Sequence, residues 1–193
     1  MAETSVSLLE QLRRDPDERA WHRLVDLCTP LIRGWLRQFP GMQNDADDVV
    51  QETLTVVLKK IAGFERERTG SFRRWLRQVT VNCLRDHWRK CERKPTATGD
   101  TNFQHTLDQL EDPHSNLSQL WDREHTRHVT HYLLEQIRSH FEPTTWQAFQ
   151  RVALDGAAPA DVARELGVTV NAVFIAKSRV MTLLRQHGEG LLD

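Results

Sequence analysis

Every periodic stretch of this chain repeats with the helical spacing, and none alternates apolar and polar residues as a half-buried strand does. Glycine and proline are few, nine and seven in 193 residues, so breaks between helices are sparse enough to place individually. The expected fold is therefore all-α. A folded chain of this length buries roughly 70% of the surface its unfolded form exposes, so neither disulfides nor a structural metal is needed to hold it. Cys28, Cys83 and Cys91 are odd in number and form no Cys-x-x-Cys pair, which favours reduced, buried thiols over a disulfide scaffold or thiolate zinc site. No apolar run reaches the roughly 20 residues a bilayer span requires. The first residues lack a basic stretch followed by an apolar one, so a cytoplasmic protein is expected.

The breaks outline two helical domains. Trp21, Leu24, Val25 and Cys28 recur at helical spacing, and after Pro30 the pattern resumes with Ile32, Trp35, Leu36 and Phe39, so Pro30 is expected to separate two short helices. A third helix is expected from Asp47 to Ile61, with acids in its first turn and Lys59 and Lys60 in its last, as the helix dipole favours. A fourth runs from Phe72 to about Arg93, with Ser71 as N-cap and Lys94-Pro95 as the stop. Residues 1–94 would form the first domain. Residues 95–126 are rich in Pro, Gly, Asp, Ser and Thr without a sustained period, and are read as a flexible linker. Periodicity returns at Val129, Leu133 and Ile137, is cut at Pro143 and again at Gly156, and outlines a second domain over 127–193.

The formal charge of −1 conceals an asymmetry. From Lys59 to Lys94 twelve Lys/Arg stand against four Asp/Glu, whereas residues 95–126 carry one Arg against six acids. A basic block beside an acidic connector suits a face for a polyanion, with the connector meeting something basic or shielding that face. On a helical wheel, Phe72, Trp75, Leu76, Val79 and Cys83 form the apolar side of the fourth helix, opposite Arg73, Arg74, Arg77, Arg85 and Arg89. Trp88 falls among the arginines. Cations with an indole could hold backbone phosphates and stack an unpaired base, as in single-strand binding; alternatively Trp88 packs on another helix and the arginines are solvated.

Residues 159–180 carry the strongest motif. Val162, Ala163 and Leu166 supply the buried face of a short helix, Gly167 permits a sharp turn, Thr169 can cap the next helix, and Val173, Ala176 and Val180 give that helix its inward stripe. This is the helix-turn-helix pattern. Asn171, Phe174, Ile175, Ser178, Thr182 and Arg185 point outward, with Arg179 on the shoulder. Thymine methyls or a partner surface would account for an exposed Phe174 and Ile175, while Asn171, Ser178 and Arg179 could reach base edges or phosphates. In the third helix, Asp48 and Glu52 lie four apart on one face beside Gln51, a surface that needs a basic partner or water. No His stands three residues after Glu52, which argues against a carboxylate metal site. His125, His128 and His131, spaced by three with no fourth ligand, are read as a solvated helix face. No nucleophile elbow, phosphate loop or triad spacing is present, so neither an enzyme nor a cofactor is expected.

Asp-Ala-Asp-Asp-Val-Val-Gln-Glu-Thr at 45–53 resembles the Asp-Ala-Glu-Asp-Leu-Val-Gln-Glu-Thr signature of extracytoplasmic-function (ECF) sigma factors of bacterial RNA polymerase, with seven of nine positions identical. Ser71-Phe72-Arg73-Arg74-Trp75-Leu76, with Asn82 and the basic run to Lys94, is similar to that family's promoter-opening helix, and the helix-turn-helix sits where its second domain lies. The resemblance implies a promoter-specificity subunit: a sigma-two-like and a sigma-four-like domain whose partners are core polymerase, through clamp and flap regions, and promoter DNA, with an anti-sigma partner left open. Asp45, Asp48, Gln51 and Glu52 would dock on the clamp of the largest subunit. Phe64 and Ser71, bounding a loop, with Arg73, Arg77, Asn82, Arg85, Asp86, Trp88, Arg89 and Lys90 on the helix after it, would capture and open the minus-10 element. Thr169, Asn171, Ala172, Phe174, Ile175, Ser178 and Arg179 would read the minus-35 element, and the acidic linker would thread toward the RNA exit path. Ala172, Val173, Phe174 and Ile175 stand where many relatives carry Gly-Thr-Val-Lys, leaving this recognition helix less basic. The rival expectation is a helix-turn-helix regulator that binds duplex DNA without polymerase.

Overall fold

A computed structural model describes residues 7–14, 17–37, 42, 44–64, 71–92 and 107–192. Among these there is no strand, and the chain divides into two compact units. The first comprises Ser7–Val129 with Gly190–Asp193, and its helices are α1 (Leu8–Arg14), α2 (Glu18–Leu36), α3 (Ala46–Lys60), α4 (Ser71–Glu92) and the first half of α5 (Asn116–Ile137). Its core is made by Leu24, Leu27, Ile32 and Trp35 of α2, Val49, Val50 and Val57 of α3, and Phe72, Leu76 and Leu84 of α4. Cys28 and Cys83 are free, buried thiols, and burial pushes the Cys28 pKa up to about 12, so it acts as a small hydrophobe.

Pro30 does not divide α2. The helix runs through it from Glu18 to Leu36, because Leu24, Leu27, Leu31, Ile32 and Trp35 bury one continuous face whose packing outweighs the one backbone hydrogen bond a proline forgoes. The described part of the expected linker is also ordered. A helical turn at 107–111 and α5 up to Val129 belong to the first unit, anchored by buried Leu107, Leu110, Trp121 and Val129. Trp121 meets Trp35 edge-on, with ring centroids 4.8 Å apart. The Ser118 hydroxyl donates to the Leu110 carbonyl at 3.0 Å and that of Ser115 to the Gln109 carbonyl, tying the turn to the helix. Residues 95–106 of that linker lie outside the described residues. The histidine row is likewise no solvated face: His125 is 1% exposed, His128 Nε2 lies 2.9 Å from the Leu27 carbonyl, and only His131 is exposed.

The second unit contains Thr130–Glu189, with α6 (Pro143–Phe149), a π-helical turn (Gln150–Leu154), α7 (Pro159–Leu166) and α8 (Val170–Gly188). Pro143 and Pro159 begin their helices, where a missing N–H costs nothing. Ala148, Val162, Ala163, Val173 and Ala176 form a small core among α6, α7 and α8.

Candidate nucleic-acid interface

Two helices of the first unit carry the charged residues singled out above. On α3, Asp48 and Gln51 are exposed and Asp45 and Glu52 half-exposed, so this acidic face is open to a partner. Asp48 forms no ion pair among the described residues. Asp45 and Glu52 are already engaged by the end of α4: His87 Nε2 lies 3.4 Å from the Asp45 carboxylate, and Lys90 Nζ donates to Glu52 at 3.0 Å. The Glu52 carboxylate in turn raises the Lys90 pKa.

Helix α4 presents its expected basic side, but not as a row of free cations. Arg77 is 4% exposed; its Nη1 donates to Asp122 at 3.2 Å and toward the Ser118 carbonyl at 3.4 Å, and burial lowers its pKa despite that carboxylate. It is a structural residue, sealed from any polyanion. Arg73 shares Asp122 at 3.1 Å and donates to the Thr126 hydroxyl at 3.3 Å. Arg85 donates to Glu111 at 2.5 Å, and this bond holds the Glu111 carboxyl below its usual range. Arg89 turns back on Asp86 at 2.7 Å, and Arg74 is exposed. Trp88 and Ser71 are half-buried. Phe64 is buried against Phe72 and Trp75, at centroid distances of 5.8 and 5.1 Å, so its ring plugs the core and does not face a base. Residues 65–70, the middle of the expected minus-10 loop, lie outside the described residues.

Asn82, Arg85, Asp86 and Arg89 converge with Lys60 of α3 on an open groove of about 340 Å³ whose lining includes Val79 and Cys83. Sequence periodicity placed Arg85 and Arg89 on the basic side, and the family resemblance supplied Asn82 and Asp86; Lys60 enters through the packing of α3 on α4. A groove edged by cations, with amide and carboxylate groups on its walls, can hold a phosphate and hydrogen-bond one base beside it.

In the second unit, Gly167 at φ +65° makes the left-handed turn that lets α7 and α8 change direction by 103°. The Thr169 hydroxyl accepts from the Ala172 N–H at 3.1 Å and caps α8. Val173, Ala176 and Val180 point inward, while Asn171, Phe174, Ile175, Ser178 and Arg179 are exposed and Ala172 is half-buried. Phe174 and Ile175 are 53% and 44% exposed, and α8 contains no acid to repel a polyanion.

Residues 24–94 match the model of the family described as Sigma-70 region 2. The chain is also 29% identical, over 112 residues, to the ECF RNA polymerase sigma factor SigF of Caulobacter vibrioides (strain NA1000 / CB15N), a match covering 58% of this chain and 62% of that relative. The matched stretch takes in α3, α4 and α2 from Leu24 onward. The family model covers residues 24–94, under half of the chain, and the chain spans under two thirds of the curated relative it matches. Among the described residues no single helix is long and apolar enough to cross a membrane.

Proposed function

We propose that the chain is an RNA polymerase sigma factor that gives a core polymerase its promoter preference and stabilises the melted strand, with no chemistry of its own. The observation that carries this reading is the conjunction, in the first unit, of an open acidic face on α3 with a cation-edged groove on α4. Asp48 and Gln51, flanked by Asp45 and Glu52, would meet the basic clamp of core polymerase. Asn82, Arg85, Asp86 and Arg89 would hold the opened minus-10 strand by phosphate contact and base stacking. The exposed face of α8 would lie in the major groove at the minus-35 element.

Asp48 is a cleaner probe of the clamp contact than Glu52, whose reversal would also set two cations against each other through Lys90. Asp48→Lys is expected to weaken binding to core polymerase at least tenfold, as measured by fluorescence anisotropy, since reversing a charge opposite a basic surface replaces attraction with repulsion. The unfolding transition should not move. Unchanged polymerase binding, with duplex DNA bound by the protein alone, would instead identify a free-standing regulator.

Phe174 and Ile175 suit thymine methyls better than phosphates. Phe174→Ala should weaken duplex binding about fourfold, the value of roughly one buried methylene. Deoxyuridine in place of the contacted thymidine should cost the wild-type protein a similar factor and the variant nothing further. Additive losses would exclude a contact between that ring and a thymine methyl.

A further inference from the structure

The acidic stretch that follows α4 in sequence lies along α4. Its carboxylates meet guanidinium groups at three positions, 73, 77 and 85, spanning about 18 Å of helix at 1.5 Å per residue. The two ends of this contact differ. At the N-terminal end Asp122 serves Arg73 and Arg77 on the same helix as the buried Trp121 and His125, and Arg77 is itself buried, so separation there would leave a sealed cation unpaired. At the C-terminal end Glu111 and Asp108 reach Arg85 in the open: their side chains are 38% and 61% exposed, at 2.5 and 3.8 Å from the guanidinium. Glu111 also accepts from the Gln78 side chain at 3.4 Å, and the same Gln78 amide donates to Asn82 at 3.3 Å. One carboxylate thus engages Arg85 directly and Asn82 through Gln78, both of which line the α3–α4 groove.

We infer that Glu111, assisted by Asp108, is an internal competitor for the groove: it takes the place of a nucleic-acid phosphate on Arg85, so single-stranded DNA must displace it to bind. This rests on the reading of α4 as a nucleic-acid surface. Exposed ion pairs are weak and exchange readily, so the contact tunes affinity without blocking it. A strand held by a polymerase outcompetes Glu111, whereas a strand met by the free protein is discriminated against. The device needs no movement of α5, because the competing carboxylates sit on the turn 107–111 at the groove's rim and not on the buried clasp at Asp122.

The test is Asp108→Asn combined with Glu111→Gln in the full chain, assayed by anisotropy with a short fluorescein-labelled single-stranded DNA at low and moderate salt. Affinity at low salt should rise three- to tenfold, and the salt dependence should steepen by about 0.7 in the log–log slope as one more cation becomes available. Glu135→Gln with Glu142→Gln, both exposed residues of the second unit, changes the net charge equally and should give less than a twofold gain. If the two double variants bind alike, or if neither differs from wild type, Glu111 does not compete. Arg74→Ala separates that failure from a failure of the underlying reading. Arg74 is exposed on the same helix and outside the contact, so its loss should weaken binding in wild type and double variant alike, and no effect in either would remove α4 as the DNA surface and the competitor with it.

Discussion

Replacing Trp121 with alanine is expected to destabilise the first unit by about 3–5 kcal/mol, the range for deleting a large aromatic side chain from a packed core. The indole is 0% exposed and stands edge-on to Trp35, an aromatic pair that adds about 1 kcal/mol beyond its burial. A partial offset exists, because the Trp121 Nε1–H has no hydrogen-bond partner among the described residues and its removal relieves an unsatisfied donor. The net loss should therefore fall toward the lower end. Chemical denaturation followed by the remaining tryptophans measures it, and Trp121→Phe should recover more than half. The outcome decides whether α5 up to Val129 is part of the first unit or an appendage resting on it. A loss under about 1 kcal/mol would mean an appendage.

How legible the fold was depended on where its apolar residues lie. The third and fourth helices were readable to within a residue or two because their apolar periods are unbroken and their ends carry charges and caps of the favoured kind. The helix-turn-helix was readable because its turn demands a residue tolerant of positive φ, and Gly167 supplies it. The stretch 107–129 was not readable. Leu107, Leu110, Trp121, His125 and Val129 fix it to the core, but Pro113 and eight acids or histidines interrupt any window long enough to show a period, and a buried histidine does not register as apolar. The same blind spot hid the site's electrostatics. A wheel of α4 gives the direction of each arginine but not the carboxylates from residues 108, 111 and 122 that meet three of them, so Arg77 looked available and is sealed.

His125 gives the second large effect, and it depends on acidity. Its ring is 1% exposed, lies 6.4 Å from the ring of Phe72, and has no hydrogen-bond partner for either nitrogen among the described residues. Burial, reinforced by the nearby charge of Arg73 and by His128, pushes its pKa down to about 3, against about 6.5 in the unfolded chain. Between those values the unfolded chain takes up a proton that the native state refuses, so stability falls as pH falls. The contribution is complete above pH 6.5 and drains away toward pH 3 at about 1.4 kcal/mol per pH unit, roughly 2 kcal/mol lost by pH 5. His125→Leu keeps the volume without the titration. Its unfolding free energy minus that of the wild type should grow by about that amount between pH 7 and 5, while the effects of the other histidines cancel in the difference. Parallel profiles would mean that the ring reaches water in the native state. A confirmed slope would extend to the site, because His125 stands one residue short of a full turn from Asp122. A proton reaches the native ring only as the pH approaches 3, so it is strong acid, not mild, that would loosen the stretch of α5 keeping Arg73 and Arg77 neutralised.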